Sequence, residues 1–150
     1  MAVDSRNTVY LVGINNQGQL VVFDNRLDTR LANGFSMATV LAAPQNASIG
    51  SAQYDVAVGS DGTARVVWSQ AELSRTSVFM SVKGPGGWSA PVDVTNAVGS
   101  GSLVERYTYP RIRVDANGTF HIAAILTRDI ITDPPTLPPY ISERTHRVVH

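Results

Sequence analysis

The stretch Tyr109-Pro110-Arg111-Ile112-Arg113 carries two guanidinium groups two residues apart, which places them on one face of an extended chain. Guanidinium groups bind carboxylates through a two-pronged fork and also hydrogen-bond to sugar hydroxyls. Asp55 holds the position equivalent to Arg111 in an earlier copy of the same stretch, and Arg113 aligns with Ala57. Asp55 and Arg111 are therefore expected to meet across neighbouring strands, and a structural salt bridge is the favoured reading. The functional reading is a joint site for a carboxylate or a sugar. Arg113, whose charge needs a partner or water, is the best single candidate for holding an anion. Tyr109 and Trp88 join this binding set, because one side of an aromatic ring can stay wet and stack on a sugar.

Other reactive side chains point away from catalysis. Trp68 aligns with Gly13 and Ala124, a large ring opposite small residues, as expected of packing between repeats. Phe35 shares the position of Trp88 and reads as an anchor of its strand. His121, His146 and His150 show no metal-ligand spacing, and the sequence has no cysteine. Asp4 and Asp115 align with Gly59, which suggests a turn role. No nucleophile elbow, phosphate loop or HExxH-like motif occurs. No catalytic residue, metal ligand or cofactor site is assigned.

These residues sit on a repeat. Val56–Ser69, Ile112–Ile125 and Met1–Ile14 align without gaps on Thr63, Thr119 and Thr8, spaced 55 and 56 residues apart. Each copy reads as strand, tight turn, strand. Asp61-Gly62 and Asn117-Gly118 are the signals of a type I′ hairpin turn, and Asn7 takes the glycine position as the next residue that tolerates left-handed dihedrals. A third strand follows each hairpin: Gln19–Phe23, Ser77–Val82 and Thr145–His150. A fourth follows twice, Phe35–Leu41 and Trp88–Val94. Four antiparallel strands per repeat, at somewhat more than the ~40–45 residues of a compact unit, is the pattern of a β-propeller.

The fold expected is all-β: a partial β-propeller of about 2.7 four-stranded antiparallel blades in 150 residues. The blades fall at about 1–46, 53–98 and 106–150, the last incomplete. Small-residue connectors occupy Pro44–Ala52 and Gly99–Ser102. Asp24–Gly34 reads as a polar loop, and the proline-rich Thr127–Glu143 as an extended surface loop. Propellers close with ~4–8 blades. The chain is therefore expected either to close by homo-oligomerisation or to belong to a larger propeller, since an open stack would leave apolar blade faces in water. With 12 basic and 12 acidic residues, neither nucleic acid nor an anionic membrane is expected as a partner. No apolar run approaches a membrane span, and no signal peptide precedes the first repeat.

The second repeat resembles the sialidase-type propeller repeats known as Asp-box or BNR repeats. The resemblance rests on Asp61-Gly62, Val66-Val67-Trp68, and Ser81 followed by Trp88-Ser89-Ala90-Pro91-Val92. The box is degenerate: Lys83 stands at its aspartate and Pro85 at its glycine, while the first repeat has Arg30 and Ala32. In Tyr109-Pro110-Arg111 the proline precedes the arginine, unlike the family's Arg-Ile-Pro, so the catalytic role is not carried over. The resemblance implies a non-catalytic binding or scaffold module of a secreted bacterial or phage protein, with carbohydrate as the favoured ligand class. The alternatives are a fragment of a sialidase-like glycoside hydrolase and a purely structural, self-assembling unit. The possible partners are a glycan and further copies of the chain in a closed ring.

Overall fold

A computed structural model describes residues 1–25, 39–42, 47–48, 53–72, 75–97, 99–100, 103–132 and 140–149, with backbone only at 47–48, 100, 131–132 and 140–149. The protein is all-β. Among the described residues there are fourteen strands and no helix. The first four, β1 (Ala2–Val3), β2 (Val9–Ile14), β3 (Leu20–Asp24) and β4 (Thr39–Ala42), form an antiparallel meander in chain order. β5 (Ala47–Ser48) is a short addition paired to β7. A second meander runs β6 (Tyr54–Val58), β7 (Ala64–Glu72), β8 (Arg75–Gly84), with β9 (Gly87–Trp88) and β10 (Val92–Asp93) both returning along β8. After β11 (Gly99–Ser100), the third meander is β12 (Leu103–Val114), β13 (Phe120–Thr132) and β14 (Tyr140–Val149). A single parallel bridge, Arg106 to Thr76, joins the second and third meanders into one mixed ten-stranded sheet.

Four hairpin turns share one geometry, and it differs from the type I′ turn expected. In each, the first residue donates its N–H to the carbonyl of the fifth, and the fourth donates to the carbonyl of the first: Asp4–Thr8, Asn15–Gln19, Gly59–Thr63 and Asp115–Thr119. Only the fourth residue has positive φ: Asn7 at 60°, Gly18 at 73°, Gly62 at 81° and Gly118 at 83°. This is a type I turn closed by a left-handed bulge residue, the three-residue hairpin loop. The first-position side chain braces it. Asp4 Oδ1 accepts from the N–H groups of Arg6 (2.9 Å) and Thr8 (2.7 Å), and Asp115 Oδ1 from those of Asn117 and Thr119 (both 2.9 Å). Asn15 does the same for Gln17 and Gln19. The Asn15 turn, between β2 and β3, thus repeats the device once more than the threonine alignment shows.

Gly59 breaks the pattern for a steric reason. Its turn is braced from inside by Asp61, which accepts from the Thr63 N–H and hydroxyl, each at 2.8 Å. A Cβ on residue 59 would lie 2.7 Å from Asp61 Oδ1 and 3.4 Å from the Phe120 ring.

Two cores separate the three meanders. Val56, Val66 and Trp68 of the second meander bury against Tyr10, Leu20, Val22 and Leu41 of the first. Ile112 and Ala124 of the third bury against Ala57, Val67 and Val78 of the second. Each meander thus turns corresponding positions, Val56 and Ile112 or Trp68 and Ala124, toward the meander before it. The alternation of strand side chains makes this possible, because odd and even residues of β6 and β7 serve different neighbours.

Three expectations are corrected. The proline-rich Thr127–Glu143 is not one long loop: β13 continues to Thr132 and β14 resumes at Tyr140, paired as Thr132 to Tyr140. The last strand therefore begins well before Thr145. The connectors Pro44–Ala52 and Gly99–Ser102 each contain a short bridging strand, β5 and β11. Phe35 and most of the loop Asp24–Gly34 lie outside the described residues.

Candidate functional site

β12 carries a bulge at its middle. The register with β13 shifts between Thr108 and Arg111, and Tyr109 adopts φ 52°. Left-handed dihedrals are costly for a bulky residue, and the following proline disfavours helical dihedrals further. The bulge turns the Pro110 ring inward, where it is fully buried, and leaves Tyr109 51% exposed. Arg111 and Arg113 are exposed on the same strand, alternating with buried Ile112.

Asp55, on β6 of the second meander, pairs with Arg113 and not with Arg111. Its Oδ2 accepts from Arg113 Nη1 at 2.8 Å and from the Ile112 backbone N–H at 3.1 Å. The hydrogen bond to Ile112 sets the register between meanders, and the carboxylate then reaches the arginine one residue further on. Asp55 Oδ1 caps its own strand at the Val56 N–H, 2.9 Å away. Arg111 is left to donate to the neighbouring Pro110 carbonyl at 3.0 Å. Among the described residues its guanidinium has no carboxylate partner. Across from Arg113 in the ladder stands His121, whose Nε2 lies 3.0 Å from Asp115 Oδ2. The His121 contact, followed by the Thr119 N–H, holds the Asp115 carboxyl below its ordinary value.

The structure places Tyr109, Arg111 and Arg113 on β12 and joins Asp55 of β6 to Arg113. It does not bring Trp88 to them. Trp88 packs at the other core, edge-on to Tyr10 (centroids 6.4 Å apart, planes at 89°), with Lys83 Nζ 5.7 Å above its ring. Lys83 also reaches Asp24 Oδ2 of the first meander at 3.8 Å. Trp68 is wholly buried and stacked on Phe79, with Nε1 bonded to Gln70 Oε1 at 3.3 Å.

A second feature was not anticipated. Where the turns of the first two meanders meet, a cleft of about 360 Å³ is lined by Asp4, Arg6, Thr8, Tyr10, Asp61 and Gly62. It continues past Arg6 and Asp61 into a space of about 250 Å³ beside Lys83, Gly84 and Pro85. Burial works against ionisation of Asp4, but the N–H groups of Thr8 and Arg6 outweigh it and keep its carboxyl below the ordinary value. Asp61 is held low by the Thr63 N–H and hydroxyl. Both carboxylates are therefore charged at neutral pH. The signal was present in the alignment: Arg6 stands where the other copies have Asp61 and Asn117, a reversal of character inside a turn. Among the described residues no group of three or more His, Asp or Glu side chains is placed to hold a metal ion.

No family model matches the chain, and no curated protein or solved structure matches it either.

Proposed function

We propose that the chain is a β-propeller-type segment acting as a non-catalytic binding module, with a carbohydrate as its ligand class and the bulged face of β12 as its site. Tyr109 is the observation that carries this reading. A non-glycine residue in a left-handed conformation costs stability, of order 1–3 kcal/mol at strained sites, and persists where it serves a purpose. Here the strain turns an aromatic ring out to solvent. The same strand carries Arg111, whose guanidinium meets no carboxylate among the described residues, and Arg113, paired with Asp55. An exposed ring for the apolar face of a sugar, flanked by donors and an acceptor for its hydroxyls, suits saccharide recognition.

The propeller reading is supported by the regular stacking of meanders on corresponding positions. Val3 and Leu11 are the counterparts of Val58 and Val66, which pack against the first meander, and Val3 is 51% exposed. Further copies of the chain, closing a ring, would cover that face.

The test is a glycan array followed by calorimetry with wild type, Tyr109→Gly and Arg111→Ala. Glycine relieves the dihedral strain, so the variant is expected to fold as stably as wild type while losing binding. Binding that survives both substitutions overturns the site. Turnover of a sialoside reporter would replace the module with an enzyme. A defined ring by light scattering, with no glycan bound, would leave self-assembly as the function.

A further inference from the structure

The four hairpin turns share one geometry but are not equally exposed. Asp115–Thr119 alone among them has all five residues in solvent, whereas the first and last residues of the other three are at least half-buried. Its left-handed dihedral falls on Gly118, so the backbone makes no special demand on the residue before it. The same place is held by Arg6, Gln17 and Asp61 in the other turns. The turn thus accepts several residue types where Asn117 stands.

The bracing of this turn also leaves two side chains free. In the second copy Asp61 braces the turn itself, and the Thr63 hydroxyl donates to its Oδ2 at 2.8 Å. In the third copy Asp115 takes that task. Its Oδ1 accepts from the backbone N–H groups of Asn117 and Thr119, and its Oδ2 lies 3.0 Å from His121 Nε2. Neither the Asn117 side-chain amide nor the Thr119 hydroxyl has a hydrogen-bond partner among the described residues. A free amide, a hydroxyl two residues on, and a residue other than proline between them are what an oligosaccharyltransferase reads in an N-glycan acceptor. Asp115 adds the acidic residue, two places before the asparagine, that one class of these enzymes requires.

We propose that Asn117 is a modification site, the acceptor of one N-linked glycan whose donor is a polyprenyl diphosphate-linked oligosaccharide. Asn117 Nδ2 forms a bond to the anomeric carbon of the donor. The bond from that carbon to the diphosphate oxygen breaks, and the polyprenyl diphosphate leaves with the electron pair. The proton lost from Nδ2 passes to a base of the transferase. The Thr119 hydroxyl is the group that fixes the segment on the enzyme. The glycan then stands at the tip of the β12–β13 hairpin, where five exposed residues leave it room. It is attached rather than bound, and the site is independent of the ligand proposed for the β12 face.

The experiment incubates the folded full chain with a purified oligosaccharyltransferase of the acid-requiring class and a lipid-linked oligosaccharide. A synthetic peptide covering 113–121 reacts in parallel. Intact mass and peptide mapping read the product. One glycan is expected, on Asn117, with the circular dichroism of the unmodified chain retained. Asn117→Gln and Thr119→Ala should each lose it, and Thr119→Ser should keep it, since the hydroxyl remains. The other acceptor triplet, Asn46-Ala47-Ser48, has Pro44 where the acid is required and should stay unmodified. An unmodified Asn117 in the folded chain would overturn the proposal. With a reactive peptide, the fold withholds the site; with an unreactive one, the segment is no acceptor. A glycan that persists in Asn117→Gln would overturn it equally.

Discussion

Asp55 allows the contact between the second and third meanders to be divided into its parts. Its carboxylate meets a buried backbone donor, the Ile112 N–H at 3.1 Å, and an exposed guanidinium, Arg113 at 2.8 Å. Ile112 is fully buried, whereas the Arg113 side chain is 73% exposed. A buried donor left without an acceptor costs ~1–3 kcal/mol. An ion pair with one member in solvent contributes ~0–1 kcal/mol, and less in salt. Asp55→Ala is therefore expected to cost about 2 kcal/mol, and Arg113→Ala no more than about 0.5 kcal/mol. Asp55→Asn separates the two effects. Its single amide oxygen can serve either the Ile112 or the Val56 N–H but not both, so its cost falls between, at about 1 kcal/mol. Urea unfolding followed by tryptophan fluorescence reads this directly. With a slope of ~2 kcal/mol per molar, the Asp55→Ala midpoint should fall by about 1 M and the Arg113→Ala midpoint by about a quarter of that. If Arg113→Ala proves as damaging as Asp55→Ala, the ion pair holds the meanders together and the reasoning from burial is wrong.

Trp68→Ala empties a fully buried site stacked on Phe79, and a loss of ~3–5 kcal/mol is expected in the same unfolding assay. Gly118 has φ 83°, so Gly118→Ala should destabilise by about 1 kcal/mol and Gly118→Asn by less, as Asn7 already serves the same place at 60°. The carboxyls of Asp4, Asp61, Asp93 and Asp115 all sit below their ordinary value of 3.8 in the folded chain. Depressed folded values mean that their stabilisation is fully present above that pH and is lost as pH falls through the folded values. Urea midpoints measured from pH 6 to pH 2 should hold level and then drop below about pH 4, and the drop should shrink in Asp115→Asn.

The repeat was legible because backbone sterics print directly onto residue type. Only glycine and asparagine stand at the left-handed turn position, Asn7, Gly18, Gly62 and Gly118, and that regularity marks the hairpins and their spacing. The kind of turn was not legible from Asp-Gly and Asn-Gly. Those pairs serve both the two-residue and the three-residue loop, and only the strand register, Val58 to Ala64 and Val114 to Phe120, tells them apart. The prolines of Thr127–Glu143 misled for a related reason. They cluster within 134–139, whereas the residues on either side, to Thr132 and from Tyr140, are strand. The bulge at Tyr109 left no mark in the sequence, because a tyrosine before a proline reads as ordinary extended chain.

The two sites were hidden to different degrees, for reasons that follow from what makes each one. The β12 face is built from residues that are present, so Tyr109, Arg111, Arg113 and Asp55 could be named from type and spacing alone. The pairing differs from the expected one by two residues along the strand, since the Ile112 N–H rather than the charge decides where the carboxylate sits, and Trp88 packs at the other core instead of joining the set. The cleft is lined by turn residues of two meanders, Asp4 and Arg6 of the first with Asp61 and Gly62 of the second. A single copy of the motif cannot mark it, since a charged residue in a hairpin turn is unremarkable by itself. Copies compared position by position do mark it, because Arg6 stands where the others have Asp61 and Asn117. In a repeat fold, a residue's function can thus lie in its difference from the equivalent residue one unit away.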